Sequence, residues 1–315
     1  MASNTPGAEH PHAPALGLSH RLLGRFHVTG VFWYRLPYAA FQRWPFWSAA
    51  PAVAICATLF FLVLGRIRAA VASNLEHVLG PAGFWKRGLR AYRTLYAFAW
   101  CLAERYQRIP HPQRFRSVLD GEENWRQVTA SGEGLVLVTA HIGPWEAAAQ
   151  FGASAARRRI HVVREEEIDP RAQEFIRELM ARTGDNHITH FAADDPLLSL
   201  ELGEALRKGD MVALQGDRPR VGGRCVTVSL FGRPMPLPLG PAALARAAHV
   251  PLVPVFNFRE GRGLLRSVVR PPIHIARTAD RDADLADAVR RFAVEIEWAI
   301  RERPHQWFCF RQLWR

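Results

Sequence analysis

Apolar and polar positions change rhythm repeatedly along this chain. Leu135-Val136-Leu137-Val138-Thr139-Ala140 is an apolar run without polar alternation, the pattern of a parallel strand covered on both faces. Comparable short runs predict strands at 160–164, 187–191, 211–215, 226–230 and 251–258, with later additions at 266–270 and 307–311. Helical spacing recurs between them, over 144–157, 170–183, 197–208, 240–248 and 283–302. Strands alternating with helices predict an α/β fold, a mixed and largely parallel sheet flanked by helices.

The amino end has another texture. Residues 1–18 are rich in Ala, Pro and His with no basic-then-apolar order, so a disordered leader is expected rather than a secretory signal. Residues 19–110 are expected to form a helical, membrane-associated region, followed by an α/β domain over 111–315. Pro45 to Gly65 carries no charge, and about 20 such residues can cross a bilayer core. Arg35 and Arg43 precede it, Arg66 and Arg68 follow, and Trp44 and Trp47 stand close by, as interfacial anchors do. A single span, a re-entrant hairpin around Pro51, a helix lying in the interface and a buried core helix all fit this segment. A helix over 88–109 places Leu89, Tyr92, Leu95, Tyr96, Ala99 and Leu102 on one side and Arg90, Arg93, Arg105 and Arg108 elsewhere. Such an amphipathic element suits packing against the α/β domain or resting on a membrane.

Charge and cysteine content narrow the partners. The formal net charge is +12, carried almost wholly by arginine, since Lys86 and Lys208 are the only lysines. A basic surface attracts a phospholipid leaflet, a phosphorylated glycolipid, an acidic carrier protein or nucleic acid. Cys56, Cys101, Cys225 and Cys309 are widely spaced with no C-x-x-C pair. They read as reduced core residues of a cytosolic compartment, and no metal framework is expected.

Chemistry concentrates at the end of the first apolar run. His141-Ile142-Gly143-Pro144-Trp145-Glu146 follows it directly. Pro144 suits the first turn of a helix and Glu146 favours the dipole there. His141 would then stand at the carboxyl end of a strand, where open α/β sheets bind ligands. An imidazole so placed can take a proton from a hydroxyl while a carboxylate fixes its tautomer. The spacing by itself is weak, because His161 with Glu166 and His190 with Asp195 repeat it and roughly one such pair is expected by chance. Only His141 has the strand, turn and helix order.

Ordered blocks across 45–315 sharpen the reading. His-Ile-Gly-Pro-Trp-Glu is followed by Arg164 after Val162-Val163, with a helix ending near Arg182-Thr183-Gly184. Then come Gly216-Asp217-Arg218-Pro219, Gly222-Gly223 and Leu230-Phe231-Gly232-Arg233-Pro234, and next Gly240-Pro241-Ala242 leading to Val250-Pro251-Leu252. Pro304-His305-Gln306-Trp307-Phe308 closes the chain. In this order the blocks resemble the late acyltransferases of lipid A biosynthesis, whose H-x-x-x-x-[DE] motif matches His141 and Glu146.

The resemblance implies transfer of a fatty acyl chain from acyl-acyl carrier protein or acyl-coenzyme A to a hydroxyl of a lipid A precursor or a related glycolipid or lysolipid. The implied setting is the cytoplasmic side of a bacterial inner membrane, with no cofactor and no metal. His141 is expected to be the general base and Glu146 its orienting partner. Gly143, Arg164, Asp217 and Arg218 are expected to bind substrate, with amides near Gly143 or the Arg164 guanidinium serving the oxyanion. An ion pair remains the alternative for Arg164, and a loop salt bridge for Asp217 with Arg218. Two rival classes stay open: a thioester hydrolase using the same base on water, and a nucleic-acid-binding protein. The second is weakened by the uncharged segment and the lack of any nucleic-acid motif.

Overall fold

The computed structural model describes residues 30–43, 48–108, 111–147, 158–181, 186–191, 197–219 and 222–314. The expected leader, Trp44 and Trp47, the helix end near 182–184 and most of the expected helix 144–157 lie outside those residues.

Nine strands are described: β1 Arg116–Asp120, β2 Leu135–Thr139, β3 Ile160–Arg164, β4 His187–Phe191, β5 Met211–Gln215, β6 Cys225–Leu230, β7 Arg233–Pro238, β8 Leu252–Gly261 and β9 Leu264–Val269. Seven form one sheet in the order β1-β9-β8-β2-β5-β3-β4. The five from β8 to β4 run parallel, while β9 is antiparallel to β8 and carries β1 with it. The fold is therefore α/β with a mostly parallel sheet, as the alternation predicted. β2 lies in the middle, flanked by β5 and β8.

Alternate residues of β2 serve two separate cores. Val136 and Val138 face one with Phe256, Phe258, Phe292 and Ile296; Leu135 and Leu137 face another with Trp125, Val128, Met211 and Val255. A strand's two-residue period makes this division, and burial on both faces explains the unbroken apolar run.

The helices are α1 Phe32–Arg43, α2 Ala49–Val63, α3 Gly65–Leu79, α4 Phe84–Arg108, α5 Glu122–Thr129, α6 Pro170–Met180, α7 Leu198–Arg207, α8 Gly240–Ala248 and α9 Arg281–Glu302. Their starts follow the sequence. Asp169 accepts a hydrogen bond from the Arg171 amide (2.9 Å) with Pro170 at the first position of α6, and Asp280 accepts one from Ala283 at α9. Both satisfy amides that the helix leaves open.

Two expectations need correction, at 307–311 and at the cysteines, and one left open, at 45–65, gains a shape. Residues 307–311 form no strand; Trp307 makes an isolated bridge with Ile142, since Pro304–Gln306 is a 3-10 turn that ends α9 beside the sheet. The 45–65 segment is not one straight helix. It stops at Val63 and turns by 94° into α3, where Gly65 follows Leu64. No single helix among the described residues is long and apolar enough to cross a membrane; α2, at 15 residues, spans only about 22 Å. Finally, Cys101 and Cys309 are buried but Cys56 and Cys225 are exposed. Cys56 lies on the outward face of α2, and Cys225 opens the two-stranded β6–β7 sheet that stands apart from the main one.

Candidate active site

The register of β2 against β5 builds the centre of the site. Thr139 pairs with Gln215 at their ends, so two residues further along each chain His141 and Asp217 face one another. The Gly216 amide donates to the Thr139 carbonyl (2.9 Å), holding the chains together past the last pair. A side chain at Gly216 would run into Phe292 and Val138, which is why the approach needs glycine. Asp217 then engages His141 twice. One carboxylate oxygen lies 2.8 Å from the imidazole Nδ1 and the other accepts the His141 backbone amide at 3.1 Å.

This pairing fixes the ring. Burial of Asp217 would raise its carboxyl, but His141 and the adjacent Arg218 outweigh it and hold the group below the ordinary carboxylate range. Asp217 stays ionised and acceptor-only, so Nδ1 carries a proton and Nε2 is left as the basic nitrogen. The imidazole is half-buried, and its ring lies tilted against Trp145 with the centroids 5.3 Å apart. His141 and Asp217 thus form an oriented imidazole–carboxylate pair at the carboxyl edge of the sheet.

Glu146 takes a different position from the one its spacing suggested. Its carboxylate lies between two guanidinium groups, 2.6 Å from Arg105 Nε of α4 and 2.5 Å from Arg164 at the end of β3. Burial pushes Glu146 up, but Arg105 and Arg164 pull it below its usual value. Arg164 is in turn held charged by Glu146 against its own burial. The tautomer-fixing contact expected of Glu146 is made by Asp217, because adjacent strand ends bring Asp217 to Nδ1 while Glu146 has already turned toward β3 and α4.

The other expected site residues are gathered here too. Gly143 has φ of +55°, and a Cβ there would strike the Asn257 carbonyl oxygen, so glycine is required. Its amide donates to the Gln306 carbonyl (2.8 Å) and is thereby already used, so it does not serve as an oxyanion donor in this arrangement. Arg218 lies 3.7 Å from Asp217 and donates to the Phe308 carbonyl. Arg105 was missed as a site residue; its place in an amphipathic helix gave no sign that it reaches the site. Gln306 stands in the block 304–308, where no sequence signal distinguishes it from its neighbours. The repeats of the His spacing go elsewhere: His161 is bonded to His190 (2.9 Å) and to Asp210 (3.3 Å) inside the sheet. Among the described residues no group of metal-ligating side chains assembles.

A half-buried histidine, oriented by an ionised aspartate where a parallel sheet opens, is an arrangement able to take a proton from a hydroxyl. The chain belongs to the bacterial lipid A biosynthesis acyltransferase family, whose profile matches residues 26–315, and it is an acyltransferase. Phosphatidylinositol mannoside acyltransferases from two strains of Mycobacterium tuberculosis, H37Rv and CDC 1551, are each 27% identical to it over 250 residues, covering 76% of this chain and 75% of theirs. Among solved structures, the 1-acyl-sn-glycerophosphate acyltransferase of Thermotoga maritima is similar at 12% identity, covering 79% of this chain and 96% of that one with a TM-score of 0.35.

Proposed function

We propose that this enzyme transfers a fatty acyl group from acyl-acyl carrier protein or acyl-coenzyme A to a hydroxyl of a phosphorylated glycolipid. His141 Nε2 takes the proton of the acceptor hydroxyl as its oxygen attacks the thioester carbonyl. The tetrahedral oxyanion collapses, the carbon–sulfur bond breaks, and the departing thiolate receives the proton from His141. Asp217 supports the imidazolium formed in between. Glu146, locked with Arg105 and Arg164, keeps two cations beside the reacting centre, where they favour the oxyanion or an anionic headgroup. No cofactor or metal enters this scheme.

The observation that carries the reading is the His141–Asp217 pair at 2.8 Å in a chain of an acyltransferase family. The relatives' named acceptor, a phosphatidylinositol mannoside, favours a glycosylated anionic phospholipid over lipid A itself, and the net charge of +12 suits either.

A membrane seat is part of the same proposal. The outward side of α2 exposes Ile55, Leu59, Leu62 and Val63, and the start of α4 exposes Phe84 and Trp85, the last at 85%. Arg66, Lys86 and Arg87 lie next to them in sequence. Apolar residues flanked by cations suit the interface of an anionic leaflet, and the 94° bend favours lying in one leaflet over a straight crossing. Residence on the cytoplasmic side of the bacterial inner membrane follows from the donors, which are made there.

Purified protein and its His141→Ala variant, incubated with radiolabelled acyl donor and a total bacterial lipid extract, test the reading. A new acylated lipid formed by the parent protein alone is the expected result. Free fatty acid without acylated lipid would convert the reading to a thioesterase. Equal product from both proteins would remove His141 as the base.

A further inference from the structure

The chain's closing turn is wired into the catalytic turn. Residues 140–143 leave β2 through a tight bend, with the Ile142 amide donating to the Ala140 carbonyl at 2.7 Å. Two main-chain bonds grip it from outside: Gly143 N–H donates to the Gln306 carbonyl (2.8 Å), and Phe308 N–H donates to the His141 carbonyl (2.9 Å). These straddle the Ile142–Trp307 bridge and fix both ends of the segment that carries the imidazole.

The Gln306 side chain anchors that grip to the sheet. Its Oε1 accepts the Arg259 amide (2.9 Å) and its Nε2 donates to the Arg259 carbonyl (2.8 Å). One side chain thereby satisfies both main-chain groups of a strand residue at the irregularity of β8, where the β8–β9 register shifts between Arg259 and Gly261. An Arg259 main chain left without it would hold two unpaired polar groups. Arg259 is itself fixed: its guanidinium lies 3.0 Å from the buried Glu104 carboxylate and 4.5 Å from the Trp100 ring of α4.

A ring of contacts then closes. Phe308 takes its bond to His141 through its amide and receives Arg218 on its carbonyl. Arg218 borders Asp217, and Asp217 holds His141 at Nδ1 and at the amide. Gln306 is the member that ties this ring to β8. We propose that Gln306 is a positioning residue for His141, holding the catalytic turn where the imidazole meets Asp217. This rests on the assignment of His141 as the base, and Gln306 itself touches no reacting atom.

The test needs a readout independent of turnover. The full chain, labelled with 15N-histidine in detergent, is compared with Gln306→Met, which keeps volume and charge but removes both amide bonds, and with Gln312→Ala, a tail change outside the ring. The His141 Nδ1 proton, assigned by its loss in His141→Gln, is expected downfield and slow to exchange in the parent and in Gln312→Ala. In Gln306→Met it is expected to exchange rapidly in a chain that is still folded at the measuring temperature, with a melting midpoint lowered by the two unpaired Arg259 groups. In the acylation assay kcat is expected to fall about 10- to 100-fold, with KM within about 2-fold.

Slow exchange retained in folded Gln306→Met would overturn the proposal. Should that variant not fold, Gln306→Asn, which still reaches one Arg259 group, is expected to exchange at an intermediate rate; parent-like exchange, or failure of this variant to fold as well, would make Gln306 an ordinary structural residue. A parent protein with the slow Nδ1 proton but no acyl transfer would instead defeat the functional reading and leave the positioning role standing.

Discussion

In the proposed mechanism His141 and Asp217 divide a task that neither residue performs alone. With Nδ1 bound at 2.8 Å to a buried carboxylate, the imidazole keeps one tautomer and presents Nε2 as a base. Its replacement by alanine is expected to lower acyl transfer by about 10²- to 10⁴-fold, the contribution of a positioned general base, with KM little changed. Asp217→Asn keeps the shape but offers an amide to Nδ1, so a loss of similar order in kcat is expected. Glu146→Gln separates the two carboxylates. It leaves Arg105 and Arg164 facing each other without their shared counter-ion, which is expected to destabilise the fold by about 2 kcal/mol while the His141–Asp217 bond survives. A double comparison of kcat and urea midpoint checks this. If Glu146→Gln abolished turnover with stability intact, and Asp217→Asn were active, the assignment of orienter would have to be reversed.

Elements explain which parts of this arrangement could be read in advance. The central strands were legible because burial on both faces writes an apolar run, unbroken over Leu135–Val138 in β2 and over Met211–Leu214 in β5. The β1 strand at Arg116–Asp120 was not, since it lies at the sheet edge with four of its five residues exposed and no apolar rhythm. The tail at 307–311 is aromatic enough to pass for a strand, yet its main chain is spent on the His141 turn and on Arg218. Placement of His141 at a strand end followed from local order; the Asp217 partnership did not, because it depends on which strand lies beside β2. The corner between α2 and α3 was also hidden, as an uncharged run does not record where it bends. That corner carries its own prediction. Val63→Ser with Trp85→Ser is expected to weaken sedimentation with anionic phospholipid vesicles by at least about 10-fold, each exposed apolar side chain contributing about 1.5–3 kcal/mol on burial. Unchanged binding by the doubly substituted protein would detach this corner from the membrane.

For the molecule as a whole, the signs of the buried ionisable groups set the response to acid. His187, His190 and His305 are held below the ordinary histidine value chiefly by burial. Between their folded values and about 6.5 the unfolded chain binds more protons than the folded one, so stability rises with pH across that window and falls on acidification. Asp217 and Glu146 are depressed by their cationic partners against burial. Their contribution is present above the unfolded carboxyl values of about 4 and is lost as pH drops through the folded ones. Glu104 runs the other way. Burial raises it in spite of Arg259, so it favours the folded state where it is protonated and loses that contribution as pH rises through its folded value. Because the histidine window begins above the carboxylate one, urea unfolding at fixed ionic strength is expected to show a first decline in stability below about pH 6.5 and a steeper one below about pH 4. Asp217→Asn is expected to reduce the second decline and leave the first. A parent profile that stayed flat from pH 6.5 to 4 would remove the buried histidines from the acid response, and an unchanged second decline in the variant would remove the Asp217 ion pair from it.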